Sequence, residues 1–404
     1  MSLDRTVLRE LAGLTDEVGV LSAYLTIDRQ ARVEQGSKPP WEVRLRNRLR
    51  QIREDARQEW PREHWRALET RIDALEPEWE RLLDPVTTGV GRALFATVAG
   101  GAVHHVSLQV PLDDRVVCEP RAYVRPLVAA WSTAGPAGVV AVSADEVRIM
   151  DLRLGATEML AILHYQRPTE QPELKGPPSS LGLPGNRVHG AGAGVHILGT
   201  GTQRDLYERR EDDKLLRFLR TVGPRVVELT KEREWSQVAL TGEASLVQAV
   251  REGIPPSIPA EVVEVDAAVA SAPPAKLAAT VEPALAEARL RHHRALAERV
   301  RDHALSANNG TFGLGDTLNA LQEGRVAHLL LDAERRWSGS RSPDGLLAPE
   351  GEVPVGADRA TLAPEPHLGE RMIELVLDSS AEVTILDPSV AEPLTDGVGA
   401  LLRW

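Results

Sequence analysis

Apolar residues recur along the N-terminal part of the chain with two spacings, one typical of strands and one typical of helices. Residues 18–28 form an apolar run bounded by polar residues, which predicts a buried strand. Residues 41–83 follow a helical period, with a break expected at Pro61 because proline interrupts a helix. Residues 91–110 predict a hairpin of two strands. Residues 1–134 are therefore expected to form an α/β domain.

The same two spacings continue through the rest of the chain. A second α/β domain is predicted at residues 135–268, with strands at 139–142, 147–152, 158–163, 237–240 and 261–265 and a helix at 244–251. A third is predicted at residues 275–404, with helices at 277–306, 314–322 and 367–377 and strands at 326–332, 382–387 and 397–404. Residues 338–363 are rich in Gly, Pro and Ser and are predicted to be a mobile insertion.

A long loop rich in glycine and proline interrupts the second domain at residues 166–203. Ordered loops of this length are uncommon in compact domains and are usually functional or disordered. The loop ends in Gly201, Thr202 and Gln203, and a strongly charged helix follows at once. A helix N-terminus offers backbone N–H groups and the positive end of the helix dipole. The tip could therefore handle a phosphate, an ester or a water molecule without a metal.

Composition narrows the class of protein. The chain has 404 residues, which predicts two or three domains, and 42% of them are hydrophobic. Cys118 is the one cysteine, so no disulfide within the chain and no thiolate metal site is expected. No run is long and apolar enough for a membrane span, and no signal sequence is evident, so we expect a soluble, cytoplasmic protein. We further expect a monomer. The net charge of −12 argues against indiscriminate coating of nucleic acid.

Four arginines fall on one face of the helix predicted after Pro40: Arg46, Arg50, Arg53 and Arg57. Such a stripe could follow the phosphate backbone of an RNA. The alternative interpretation, a solvated amphipathic face, is favoured because charged helix faces are common and acidic residues stand close by. His292, His293 and His303 share a later helix without acidic or cysteine partners at ligand spacing, so we expect no metal and no cofactor.

Residues 311–326 (TFGLGDTLNALQEGRV) resemble the third domain of the archaeal and eukaryotic class-1 translation termination factors. The order of three domains, with a glycine-rich loop leading into a charged helix in the middle one, resembles those factors and the related rescue factor Pelota. The chain as a whole is most similar to bacterial members of this superfamily, notably from actinobacteria. The resemblance implies an RNase H-like middle domain and a C-terminal α/β domain similar to an RNA-binding ribosomal protein.

The resemblance also implies roles for individual residues. The termination factors end this loop in Gly-Gly-Gln, and Gly201, Thr202 and Gln203 stand at that position here, with threonine in place of the middle glycine. In the family this tip enters the peptidyl-transferase centre, and the backbone amide of the glutamine stabilises the developing oxyanion. The charged helix contributes Arg204, Arg209 and Arg210 as candidate contacts with ribosomal RNA. A second glycine cluster at residues 190–194 leaves the register of this match open.

Three hypotheses follow. The first is a tRNA-mimicking factor of the ribosomal A site that hydrolyses peptidyl-tRNA in stalled-ribosome rescue, with Gln203 at the reaction centre. The second, which the threonine at position 202 favours, is a factor of the same shape that protects idle ribosomes during hibernation. The third is an α/β scaffold unrelated to ribosomes. The stop-codon motif Asn-Ile-Lys-Ser is absent from the sequence, so codon-specific termination is not expected. A translational GTPase is a further candidate partner.

Overall fold

The computed structural model describes residues 3–28, 38–166, 201–267, 270–306, 308–354 and 356–404, with backbone alone at 201–210. The chain divides into two compact units. The first unit comprises residues 1–136, 152–156 and 282–404, and the second comprises residues 137–151 and 157–281. The architecture is mixed α/β, as predicted. Each of the three predicted domains contains a main sheet of its own, but the first and third predicted domains lie in one compact unit. The division into three domains therefore stays a prediction.

The N-terminal part of the first unit is built on a four-stranded antiparallel sheet. Its elements are α1 (Arg5–Ala12), β1 (Thr15–Thr26), α2 (Pro40–Glu59), α3 (Arg62–Ala74), α4 (Glu76–Leu83), β2 (Gly91–Thr97), β3 (Val103–Leu108), β4 (Arg115–Arg121) and α5 (Arg125–Ala134). The strand order is β3-β2-β1-β4. The predicted helix break at Pro61 is confirmed, and a second break at Leu75 precedes Pro77 in the first turn of α4.

The second unit contains a five-stranded sheet in the order β7-β6-β5-β8-β9. Its elements are β5 (Ala137–Val142), β6 (Glu146–Arg153), β7 (Ala156–His164), α6 (Gly201–Arg220), α7 (Gly223–Glu232), β8 (Gln237–Gly242), α8 (Ala244–Gly253) and β9 (Glu261–Asp266). Strands β5, β8 and β9 are parallel. Each predicted strand and helix of this region is present, with ends that differ by a few residues.

The C-terminal part of the chain adds two further sheets. Its elements are α9 (Pro274–Leu305), β10 (Gly310–Phe312), α10 (Leu314–Gln322), β11 (Val326–Asp332), β12 (Gly339–Arg341), β13 (Leu347–Pro349), β14 (Ala363–Glu365), α11 (Leu368–Asp378), β15 (Glu382–Leu386), α12 (Pro388–Ala391) and β16 (Val398–Leu402). The larger sheet has the order β10-β16-β11-β15, with β11 and β15 parallel. The smaller sheet has the order β13-β12-β14.

Alternation along β1 directs side chains into two different cores. Leu21, Ala23 and Leu25 pack against helices α2, α3 and α4. Val20 and Tyr24, on the opposite face, belong to a core that also contains α5 and the C-terminal helices α10 and α11. Because neighbouring side chains of a strand point to opposite faces, one sheet closes both cores. The N-terminal and C-terminal parts of the first unit are therefore held together by shared apolar burial.

The stretch predicted to be a mobile insertion is a folded sheet, so that prediction is wrong. Strands β12, β13 and β14 pair antiparallel between residues 339 and 365. The backbone of Leu347 exchanges two hydrogen bonds with the Gln322 side chain of α10, at 2.7 and 3.0 Å. Gly345 and Gly351 of this stretch serve turns, since their φ values are 86° and 84°. Within the described ranges, no helix has the length and apolarity of a membrane span.

Candidate functional site

Two described points bracket the long loop of the second unit. At one end, the ring of Tyr165, which follows β7, packs on the ring of Phe218 in α6 with 5.5 Å between centroids. At the other end, Gly201 begins α6. Positions 201 and 218 are 17 residues apart on one helix, so a rise of ~1.5 Å per residue separates them by about 25 Å. The predicted tip therefore lies about two dozen ångströms along α6 from the point where the chain leaves the sheet. Residues 167–200 lie outside the described part of the chain.

The C-terminal half of α6 is fixed in the core of the second unit. Leu219 is fully buried, and Leu215 and Phe218 pack against the same core. Just beyond the helix, Gly223 approaches Gly253 so closely that a Cβ at Gly223 would collide with the Gly253 carbonyl oxygen. This close approach requires glycine, and it joins the end of α6 to the end of α8. One end of α6 is thus rigidly anchored.

The N-terminal half of α6 has a different composition. Nine of the eleven residues from 204 to 214 are charged. A helix segment without an apolar stripe is suited to solvent or to a polar partner rather than to a protein core. Arg204, Arg209 and Arg210 all belong to this half, and their side chains lie outside the described atoms. Where side chains are described, Lys214 pairs with Glu211 at 2.8 Å.

Gly201, Thr202 and Gln203 occupy the first turn of α6. The first turn of an α-helix has N–H groups without an acceptor inside the helix, and the helix dipole adds positive potential there. The structure places these three residues together at the end of the helix, but the positions of their side chains are not described. Their catalytic role stays a proposal that rests on the sequence.

The arginine stripe of α2 faces a matching acidic stripe on α3 and α4. Arg46 binds Glu76 through both terminal nitrogens, one of them at 2.9 Å. Arg53 binds Asp73 at 2.6 Å, and Arg57 binds Glu69. The hydrogen bond to Glu76 raises the pKa of Arg46, and the same bond lowers the pKa of Glu76. Three of the four arginines in the α2 stripe are therefore paired with carboxylates of α3 and α4.

The fourth arginine of the stripe, Arg50, approaches the side-chain oxygen of Asn47 at 3.5 Å. Exposed ion pairs such as those of Arg46, Arg53 and Arg57 contribute between ~0 and 1 kcal/mol each to the free energy of unfolding. A phosphate backbone could displace the carboxylates at little cost in stability. Binding of RNA by this stripe stays a proposal. In it, RNA phosphates compete with Glu69, Asp73 and Glu76 for the arginines.

Arginine also flanks an aromatic ring at the turn between α2 and α3. The guanidinium carbons of Arg57 and Arg66 lie 5.7 and 5.6 Å from the centre of the Trp65 ring. Cation–π contacts of this kind orient the guanidinium groups and contribute about 0.5–1 kcal/mol at exposed sites. Arg66 was not among the arginines predicted to contact RNA. Its position next to Trp65 in the sequence is the feature that could have indicated it.

The described residues contain no group of three or more His, Cys, Asp or Glu that could hold a metal ion. Burial raises the pKa of the Cys118 thiol to about 12, so this cysteine is a poor nucleophile at neutral pH. Of the adjacent histidines on β3, His105 contacts the Glu78 carboxylate at 2.7 Å. Cys118 and His105 are thus accounted for by their local surroundings. The N-terminal end of α6 remains the candidate site.

The sequence from Tyr123 to Ala288 matches the profile of bacterial archaeo-eukaryotic release factor family 10. This segment of the chain is therefore similar to a family of bacterial release factor-like proteins. The matched residues 123–288 include the five-stranded sheet and α6. No curated protein matches the chain.

Solved structures of translation factors also align with this chain. The archaeal translation termination factor aRF1 is 17% identical, with 100% of this chain and 99% of that one covered and a TM-score of 0.24. Archaeal Pelota, from a model of ribosome-bound Pelota and ABCE1, is 13% identical, with coverages of 99% and 94% and a TM-score of 0.39. Dom34 of S. cerevisiae, a translation termination-like factor that interacts with Hbs1, is 8% identical, with coverages of 79% and 75% and a TM-score of 0.36.

Proposed function

We propose that this protein is a ribosome-associated, tRNA-mimicking translation factor that enters the A site and protects idle ribosomes. In this proposal the Gly201 end of α6 points at the peptidyl-transferase centre. The observation that carries the proposal is the division of α6 into an anchored apolar half and a charged half that ends about 25 Å away. A rod of that length can present a small polar tip inside a narrow site while the bulk of the factor stays outside.

The charges on α6 support contact with RNA. Arg204, Arg209 and Arg210 lie close to the tip and could bind phosphate groups, with Asp205 and Glu208 between them and an acidic run at residues 211–213. A protein with a net charge of −12 binds RNA only where basic groups are concentrated, which restricts where it can dock. The match of residues 123–288 to a release factor family supports the ribosome as the RNA-containing partner.

Protection is proposed ahead of hydrolysis because of Thr202. A β-branched residue restricts the backbone conformations that a glycine at the same position would permit. The alternative, peptidyl-tRNA hydrolysis in ribosome rescue, is supported by the match of Gly201 and Gln203 to the Gly-x-Gln pattern. A translational GTPase is proposed as a delivery partner, since the relative Dom34 interacts with Hbs1.

The proposal is tested with purified protein, vacant ribosomes and ribosomes that carry labelled peptidyl-tRNA in the P site. We expect sedimentation with vacant ribosomes and no release of the label. Release that is lost in Gln203→Ala would favour hydrolysis instead. If the protein does not sediment with either kind of ribosome, both functions are excluded.

A matched pair of variants tests the orientation of α6. Arg210 and Arg217 lie seven residues apart on the same helix face, but Arg217 is two turns closer to the sheet. We expect Arg210→Glu to weaken binding to ribosomes by about tenfold or more, and Arg217→Glu to have a smaller effect. Equal effects of the two variants would contradict a docking mode that leads with the Gly201 end.

A further inference from the structure

A cluster of ionisable side chains lies between the N-terminal sheet and helix α11 in the first unit. It comprises Glu119 and Arg121 of β4, Arg125 of α5, Glu365 of β14, and Glu370, Arg371, Glu374 and Asp378 of α11. We call it the Arg371 cluster. His367, which precedes α11, is the further titratable group that interacts with Glu119. Side chains of Glu119, Arg371 and Glu374 are each at most 10% exposed.

Arg371 is shared among three carboxylates. One terminal nitrogen binds Glu119 across the interface, the other binds Glu374 at 2.7 Å, and Nε lies 3.8 Å from Glu365. One guanidinium therefore faces three negative charges that come from β4, β14 and α11. A buried charge is stable only beside a group of opposite charge. The Arg371 guanidinium therefore links β4 to α11 most firmly when the positive and negative charges around it are equal in number.

The neighbouring arginines extend the same interface. Arg121 of β4 forms two hydrogen bonds with Asp378, at 2.8 and 3.0 Å, and lies 3.6 Å from Glu374. Arg125 lies 3.4 Å from Glu370 and donates to the carbonyl oxygen of Asp332 at 3.0 Å. Most of these bonds join the N-terminal and C-terminal parts of the first unit.

Charges in the Arg371 cluster do not balance when every group is ionised. Five carboxylates face three guanidinium groups, which leaves two excess negative charges. Burial, opposed by Arg371 and Arg121, raises the pKa of Glu374 to about 7. Burial also raises the pKa of Glu119, although Arg371 opposes the shift. One proton bound by a carboxylate of the cluster removes one of the two excess negative charges.

We propose that the Arg371 cluster is a latch between β4 and α11, which is closed while one proton is shared among its carboxylates and loosens when that proton leaves. Loosening separates β4 from α11 without breaking either element. The N-terminal and C-terminal parts of the first unit are then held by their shared apolar core alone at this interface, and their relative motion increases. The proton is released to bulk water, and no other group is consumed.

The direction of the pH response follows from the sign of the shift. A carboxyl group whose pKa is raised in the closed state binds its proton more tightly there than in the open state. The stabilisation is present below the ordinary pKa of 4.5 and is lost as pH rises toward about 7. Between pH 6 and pH 8 the opening constant is expected to rise about tenfold.

Amide hydrogen exchange of the full chain tests the latch, with rates corrected for the pH dependence of the chemical step. Opening of β4 and α11 is expected to increase about tenfold from pH 6 to pH 8 in the wild type. In Glu374→Gln, which mimics the protonated acid, the opening constant should be the same at pH 6 and at pH 8. The control Glu382→Gln, which removes the exposed partner of Arg5 in the same unit, should keep the wild-type response.

A pH response that is the same in Glu374→Gln and in the wild type overturns the proposal, and so does a flat response in the wild type. Should Glu374→Gln fail to fold, carbon NMR of the glutamate carboxyl groups in the wild-type protein decides. The proposal requires one carboxyl group that titrates near pH 7, and it is wrong if all glutamates titrate below pH 6. Neither measurement involves ribosomes, so failure here is separate from failure of the proposed function.

Discussion

At the scale of single residues, Asp16 fixes the start of β1 to the β2–β3 hairpin. Its two carboxylate oxygens accept four backbone N–H bonds of 2.8–3.0 Å, from Val18, Gly19, Ala99 and Gly100. Burial alone would raise the pKa of Asp16, but these four donors outweigh it and the net pKa is lowered. A short polar residue at the start of a strand thus connects segments more than eighty residues apart.

Asp16→Asn should lower the free energy of unfolding by about 1–2 kcal/mol at pH 7, because the amide nitrogen cannot accept from the two hairpin N–H groups. The lowered pKa gives the sign of the pH effect: the stabilisation is present above the unfolded pKa and is lost as pH falls through the folded pKa. Urea titrations at pH 7 and pH 3 check this. Glu17→Gln, the adjacent exposed carboxylate, is the control, and an equal loss in both variants would refute the assignment.

At the scale of elements, the sequence predicted most helices and strands but not their partners. The helix at 314–322 has the predicted bounds because Gly313, with φ 89°, precedes it and Gly324, with φ 71°, follows it. The acidic partners of the arginine stripe have helical spacing in the sequence, yet their role depends on the turn at Pro61, which folds α3 back along α2. The pairing of Arg371 with Glu119 spans 252 positions, and no local pattern contains it.

The ion pairs between α2 and the two following helices lead to a prediction about RNA binding. The triple variant Glu69→Gln, Asp73→Asn, Glu76→Gln releases Arg57, Arg53 and Arg46 from their carboxylates. If this face contacts ribosomal RNA, affinity should rise and the slope of log K against log salt should steepen by up to ~0.9 for each new phosphate contact.

A control for this triple variant keeps the same change in net charge. Glu54→Gln, Asp55→Asn, Glu59→Gln neutralises three exposed carboxylates of α2 that form no ion pair with the stripe among the described contacts. Its effect should be smaller than that of the first triple variant. Equal effects in the two would show that only overall charge matters, and the stripe would then be a solvated face.

At the scale of the whole molecule, the proposed function depends on how an anchored helix end presents a distant tip. The core of the second unit holds the C-terminal half of α6, and the charged half carries Gly201–Gln203 away from it. The sequence predicted the loop and the charged helix, and the resemblance suggested their role. The length of α6 and its anchoring near Phe218 required the structure, because the ring contact between Phe218 and Tyr165 joins residues far apart in the sequence.

A cryo-EM map of the full chain bound to vacant ribosomes tests the central claim most directly. We expect the factor in the A site, with the Gly201 end of α6 at the peptidyl-transferase centre and the five-stranded sheet about 25 Å behind it. A map that shows the protein bound outside the A site, or with α6 directed away from the peptidyl-transferase centre, would contradict the account.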